Sequence, residues 1–122
     1  EVRVKDETRY LLAEHEDELA ATQPSRATHL LGAFDQFVLG PGTKDIHMLA
    51  SKHRSRVSKA AGWIAPVLTQ GGRITGVWEM EDGNLVVTPF PGEQAPPSKA
   101  LEDAAARLAA VHGLAKLTPR VG

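Results

Sequence analysis

The chain predicts a mainly β, α+β fold: a small antiparallel β-barrel or strongly curved sheet, with a C-terminal helix and one or two short helices. Three observations predict it. First, the runs Trp63–Gln70, Arg73–Glu81 and Asn84–Phe90 are separated by the two-residue linkers Gly71-Gly72 and Asp82-Gly83. Such pairs favour positive φ and the primed hairpin turns. Second, a two-residue loop sets the strand register. Counting back from the first turn, Trp63 faces Met80, Ala65 faces Trp78, Val67 faces Gly76 and Thr69 faces Ile74. Across the second turn Met80 faces Leu85 and Trp78 faces Val87. Both turns send the same middle-strand residues to one apolar face, made of Trp63, Val67, Ile74, Trp78, Met80, Leu85 and Val87. The opposite face mixes Gln70, Arg73, Thr75, Glu79 and Thr88 with Ile64, Leu68, Val77 and Phe90, as for a partly covered sheet. Third, a stripe of helical period (Leu101, Ala104, Ala105, Leu108, Val111) follows the Pro-rich linker Gly92–Pro97 and suits a helix packed on that sheet.

The remaining elements follow in chain order. Glu1–Leu12 alternates weakly through Val2, Val4, Tyr10 and Leu12 around a polar turn at Asp6-Glu7, which predicts a hairpin. Glu14–Thr22 is rich in acids and strong helix formers and reads as a short surface helix ended by Gln23-Pro24-Ser25. Residues 1–22 hold seven acids against three bases, net −4, the pattern of a solvated face. Ala27–Leu39 reads as a buried strand that breaks at Asp35. A carboxylate in such a run is costly to bury unpaired; it either accepts backbone amides at a turn or faces a cleft or partner. Gly40-Pro41-Gly42 is a loop, and Asp45–Val57 a short helix or irregular segment. Ser98 is a suitable N-cap for the last helix, which runs to about His112 with Gly113 as its stop. Leu114–Gly122 reads as a frayed tail.

Length and composition bound the function. A chain of 122 residues with net charge −1 and no cysteine is one domain by default, with no disulfide framework, thiol nucleophile or Cys-ligated metal. No apolar run approaches the roughly 18–20 residues of a membrane span, and no signal-peptide pattern opens the chain. The expected location is cytoplasmic, with no membrane partner. The start at Glu1, already strand-like, suggests a piece of a longer protein. Charge is unevenly placed. From Thr43 to Arg73 there are six bases (Lys44, Lys52, Arg54, Arg56, Lys59, Arg73) and one acid, Asp45, net +5. Such clusters suit phosphate contacts, each of which releases counterions, although a solvated basic loop has the same composition. His47 and His53 lack further nearby ligands, so no metal is expected. No glycine-rich phosphate loop, HExxH or nucleophile elbow occurs, and no cofactor is implied. The sheet-rich pattern does not supply a helix-turn-helix. Trp63 and Trp78, both on the expected core face, read as packing rather than as a base-stacking platform. Glu79 and Glu81, beside the second turn, read as solubilising.

The blocks Leu30-Leu31-Gly32-Ala33-Phe34-Asp35 with Gly40, Gly62-Trp63-Ile64-Ala65-Pro66-Val67-Leu68, and Gly71-Gly72-Arg73-Ile74-Thr75-Gly76-Val77-Trp78 occur in that order. Together they resemble the C-terminal domain of the winged-helix DNA-binding family that includes bacterial alkylpurine and interstrand-crosslink DNA glycosylases. The resemblance extends over most of residues 1–113. Gly32 stands where that family usually has Pro, Ala61-Gly62 where Asn-Gly is common, and Gly71-Gly72 where Asp-Gly is usual. The resemblance implies that residues 1–122 form a single β-barrel-like domain, the C-terminal part of a longer winged-helix protein. It further implies that this domain partners double-stranded DNA and the parent chain's winged-helix domains. The glycosylase members carry a Gln-x-Gln or Gln-x-Asp motif in their N-terminal part. Gln23, Gln36, Gln70 and Gln94 are followed two residues on by Ser25, Val38, Gly72 and Pro96, so neither motif is present and catalysis is not expected of this chain. The expected role is DNA binding or scaffolding, with Lys52, Arg54, Arg56 and Lys59 on phosphates and Arg73 as an outlying contact. The alternative is a small-ligand-binding β-barrel, which would need an apolar chamber with convergent polar groups.

Overall fold

The computed structural model describes residues 1–4 and 7–122. An N-terminal hairpin pairs β1 (Val2–Val4) with β2 (Glu7–Arg9). Asp6 of the expected turn lies outside the described residues. A 3₁₀ turn (Ala13–His15) leads into the acidic surface helix α1 (Glu16–Ala21), which buries no side chain. The main sheet has five strands: β3 (Thr28–Leu31), β4 (Val67–Gln70), β5 (Arg73–Glu81), β6 (Asn84–Pro89) and β7 (Thr118–Val121), side by side in that order. β3 to β6 are antiparallel, β7 runs parallel to β6, and the sheet curls into a half barrel. Between β3 and β4 lie the short helices α2 (Gln36–Leu39) and α3 (Arg54–Val57); α4 (Ser98–Val111) joins β6 to β7. This is the predicted class.

Both central turns form as expected. Gln70 pairs with Arg73 and Glu81 with Asn84, and Gly71, Gly72, Asp82 and Gly83 all have positive φ, as a primed turn requires. The second hairpin keeps its register throughout, with Trp78 on Val87 and Met80 on Leu85. The first does not. Thr69 faces Ile74, but Leu68 faces Gly76 and Val67 faces Val77, so Thr75 is an extra residue. A bulge of this kind reverses which face each later residue reaches. Val67 and Ile74 therefore leave the Trp78 face, and Leu68 joins it.

The consequence is two cores rather than one. On one face Leu68, Trp78, Leu85 and Val87 pack against Leu101, Ala105, Leu108 and Ala109 of α4, with Leu117. On the other, Val67, Ile74 and Phe90 pack against Val38, Met48, Leu49 and Val57 from the α2–α3 segment. The backbone supports this second layer directly: Ile74 N–H donates to the Met48 carbonyl (2.8 Å). The space beneath α4 is packed side chain, not a ligand chamber.

Further expectations need correction. The first strand of the meander begins at Val67, not Trp63. Residues 63–65 pair instead with the end of α3, through Lys59 N to Trp63 O (2.7 Å), Ala65 N to Val57 O (2.9 Å) and a Ser58–Ile64 bridge. Pro66 is the local reason, since proline interrupts a central ladder. Trp63 is consequently exposed, at 51%, and Met80 is exposed at 42% despite its expected pairing with Leu85. The strand expected from Ala27 stops at Leu31, before the turn that carries Phe34 and Asp35. Ser98 is the first helical residue and makes no capping bond, the cap position being Pro97. Val111 is 81% exposed, two positions past Ala109, the last buried residue of α4. The stop at Gly113 holds: its φ is +68°, Gly113 N donates to Ala110 O and Leu114 N to Ala109 O, the two bonds of a Schellman motif. Residues 114–122 are not frayed, since Leu117 is buried and Thr118–Val121 forms β7.

Trp78 joins β5, β3 and α4: its ring is in the α4 core and its Nε1–H donates to the Leu31 carbonyl (3.0 Å). Trp78→Ala should destabilise the chain by about 3–5 kcal/mol. Met80→Ala, on the same face but half exposed, should cost less than about 1 kcal/mol. Denaturant titrations showing equal losses for the two would contradict the packing described.

Candidate nucleic-acid interface

The basic segment is a short helical run seated on the second core. Asp45 Oδ1 accepts from His47 N–H (2.9 Å), and the Asp45 carbonyl accepts from Leu49 N–H (3.0 Å), turning the chain into the layer. A 3₁₀ turn (Ser51–His53) then runs directly into α3. Leu49, His53 and Val57, four apart, are all buried, so they form the inward face. The charged side chains take what is left. Lys52, Arg56 and Lys59 are exposed, while Arg54 is half-buried, its Nε–H donating to Thr43 Oγ1 (3.1 Å). Arg73 is exposed at the first hairpin turn, next to Ile74, whose amide is bonded to Met48. Among the described residues none of these five cations is in an ion pair. No Asp or Glu occurs from Ile46 through Trp78.

His53 sits beneath these cations. Its imidazole is 4% exposed and stacks on Phe90, with ring centres 4.5 Å apart and planes 23° from parallel. Neither ring nitrogen has a protein hydrogen-bond partner. Burial depresses its pKa below the usual 6.5; Lys52 and Arg56 push the same way, and Glu93 opposes them weakly. The neutral ring is therefore the form the fold accommodates. His47 lies at the segment's start, its Nε2 3.6 Å from Glu7 of β2. Arg9 holds the Glu7 carboxyl below its ordinary pKa through bonds of 2.6 and 3.1 Å. No group of three His, Asp or Glu side chains that could hold a metal occurs among the described residues.

Asp35 does two things at once. It caps α2, with Oδ1 accepting from Phe37 N–H (2.9 Å), and it borders a concavity of about 230 Å³ between β3 and α4, where Arg107 and His112 also lie. Arg107 already donates to the Thr28 carbonyl (3.0 Å). The structure does not bring Asp35 together with the basic segment in any bond. Sequence reasoning missed the exposure of Trp63, whose ring meets Phe34 edge to face at 5.2 Å. Pro66, three residues on, was the available signal that the strand could not extend back that far.

Comparison with known proteins adds the following. Residues 1–111 match the AlkZ-like family, described as DNA glycosylase AlkZ-like. An interstrand DNA cross-link repair glycosylase of Streptomyces sahachiroi is 52% identical over 121 residues, which is 99% of this chain and 33% of that protein. The solved structure of Streptomyces sahachiroi DNA glycosylase AlkZ superposes with a TM-score of 0.89 at 54% identity, over 92% of this chain and 30% of that one. The chain thus spans about a third of the length of these relatives.

His53 gives the segment a pH signature. Its folded pKa is depressed, so the unfolded chain binds the proton more readily, and stability falls as pH drops below about 6.5 until the folded pKa is passed. His53→Leu should remove that component. Between pH 7.5 and 5.5 the wild type's denaturation midpoint should fall relative to the variant's; parallel curves would show that His53 does not titrate against folding.

Proposed function

The chain belongs to the AlkZ-like DNA glycosylase family, and from that premise we propose that it is the DNA-engaging, scaffolding domain of a longer DNA-repair glycosylase. Its own surface supplies phosphate contacts through Lys52, Arg54, Arg56 and Lys59, with Arg73 outlying. One observation carries the reading: among the described residues, five cations without ion-pair partners, four of them exposed, lie in a stretch free of carboxylates, on a chain whose net charge is −1. Exposed, unpaired Lys and Arg can give up counterions to a phosphate backbone without first breaking an internal ion pair. Because their segment is fixed to the sheet by Met48, Leu49 and Val57, little ordering is required when DNA arrives.

In this reading residues 1–122 are one barrel-like domain, and the parent chain's winged-helix domains complete a DNA-binding surface and hold the catalytic motif. The relatives' names, a DNA glycosylase and an interstrand cross-link repair glycosylase, support DNA repair as the parent's process. A cytoplasmic location is the corresponding proposal; among the described residues no helix is long and apolar enough to cross a membrane. The small-ligand barrel is the weaker alternative, because the sheet face that would line its chamber is packed against α4.

Two outcomes test the proposal. Binding of duplex DNA to the isolated chain should be weak, about 10⁻⁴ M at physiological salt, with log K falling against log salt at a slope of roughly −3 to −4. Replacing Lys52, Arg54, Arg56 and Lys59 together with Ala should flatten that slope while circular dichroism stays unchanged. Indistinguishable low-salt titrations of the two proteins would remove the basic segment from the interface. Separately, the purified chain should release no base from alkylated DNA above the uncatalysed rate, and release by it would place catalysis here.

A further inference from the structure

Two large aromatic side chains meet at the surface where the cores end. Phe34 and Trp63 are 43% and 51% exposed, and their rings contact each other edge to face. A hydrophobic side chain left in water ordinarily reflects a lack of room inside, but here the backbone is bent to present both. Phe34 has φ +59°, a region that bulky residues rarely enter. Ala61, two residues before Trp63, has the same φ and closes the tight loop from Lys59 to Trp63. Strain of this kind persists where surrounding structure over-determines it, and it gathers at binding sites.

Charge identifies the occupant. The Lys59 amide donates to the Trp63 carbonyl (2.7 Å), which makes Trp63 a direct neighbour of the last cation of the basic segment. Carboxylate-free chain surrounds Trp63 in sequence, from Ile46 on one side to Trp78 on the other. The one acid adjacent to Phe34, Asp35, is engaged by the Phe37 amide. An apolar protein partner would gain nothing from flanking cations, whereas a polyanion carrying flat aromatic groups matches both features. Stacking on aromatic side chains beside a cationic track is how unpaired bases are held without sequence preference.

We infer that Phe34 and Trp63 form a stacking site for a nucleobase outside the duplex stack, at a strand end, a nick or an unpaired position. This rests on the reading of the chain as a DNA-engaging domain. Trp63 supplies the stacking ring, and Phe34 holds its orientation by the edge contact.

The test uses three DNAs of one sequence: intact duplex, duplex with a single unpaired base, and single strand. Wild type, Trp63→Ala and Trp63→Phe are titrated with each, by anisotropy of labelled DNA and by quenching of tryptophan fluorescence. Trp78 is buried and Trp63 half exposed, so quenching by a stacked base reports on Trp63. The unpaired-base duplex should bind wild type at least about fivefold tighter than the intact duplex, the lower end for one base stacked on an aromatic ring. Trp63→Ala should lose that preference and keep its salt slope; Trp63→Phe should retain most of it. Salt-dependent duplex binding without any preference, or a preference that survives in Trp63→Ala, overturns the stacking site and leaves the basic interface standing. Absence of salt-dependent binding to all three DNAs overturns both. A wild-type chain that sediments as a dimer, made monomeric by Trp63→Ala, would assign the pair to a contact between copies instead.

Discussion

The extra residue at Thr75 is the constraint on which the rest of this structure depends. A regular β4–β5 ladder would gather Val67, Ile74 and Trp78 on one face and leave the other half polar. The bulge divides them, so both faces acquire enough apolar surface to hold a covering layer. Gly76, the next residue, shows how closely the strands approach there. A Cβ at that position would lie 2.6 Å from the Thr88 carbonyl oxygen, closer than packed atoms tolerate. The close β5–β6 contact at this point thus requires glycine at 76. Burial on two sides also explains why so few long-range polar bonds are needed to hold the layers. Trp78 to Leu31 and Arg107 to Thr28 tie β3 inward, and Arg54 to Thr43 steadies the cationic layer.

What the amino-acid sequence made legible was local. Gly71-Gly72 and Asp82-Gly83 announced their turns because positive φ is written in residue type. The stripe read from Leu101 to Val111 and Gly113 announced α4, because helical period and left-handed termination are equally local, although Val111 itself is exposed. The basic segment was visible by counting charge. What stayed hidden depended on distance. The bulge is a negotiation between β5 and both neighbours, and no two-residue turn reports it. β7 pairs with β6 only after α4 has carried the chain back, as a parallel pair requires, and Pro119 inside it disguises the strand. Trp63 looked like a core residue because its expected register assumed that pairing continued through Pro66. Asp35 could be read as a cap or as a cleft residue, and it is placed so that it caps α2 while bordering a concavity.

The layer that carries the cations is also a physical compromise. Its inward side chains include an imidazole in place of an aliphatic group. His53 lies flat on Phe90 with its nitrogens unsatisfied by protein, a costly arrangement for a polar group. In return the ring stays uncharged beneath Lys52 and Arg56, so it adds no repulsion to a surface already dense in positive charge. The same layer ends in the Lys59–Trp63 loop, where apolar and cationic groups adjoin without a carboxylate between them. Family membership supplies the biological setting, while the placement of these groups follows from how the segment is seated on the sheet.

The N-terminal arm stands apart from this economy. Among the described residues none before Thr28 is buried, and the arm meets the basic segment through the Glu7–His47 contact. A segment with so little burial can detach at a free energy well below that of global unfolding. Its amides would therefore exchange with solvent deuterium as one fast population, ahead of the slow population of β4, β5 and β6. Limited proteolysis would follow the same division, cutting ahead of Thr28 while leaving both cores intact. The chain is then best regarded as a rigid body of roughly a hundred residues, from Thr28 on, with a loosely latched acidic arm ahead of it.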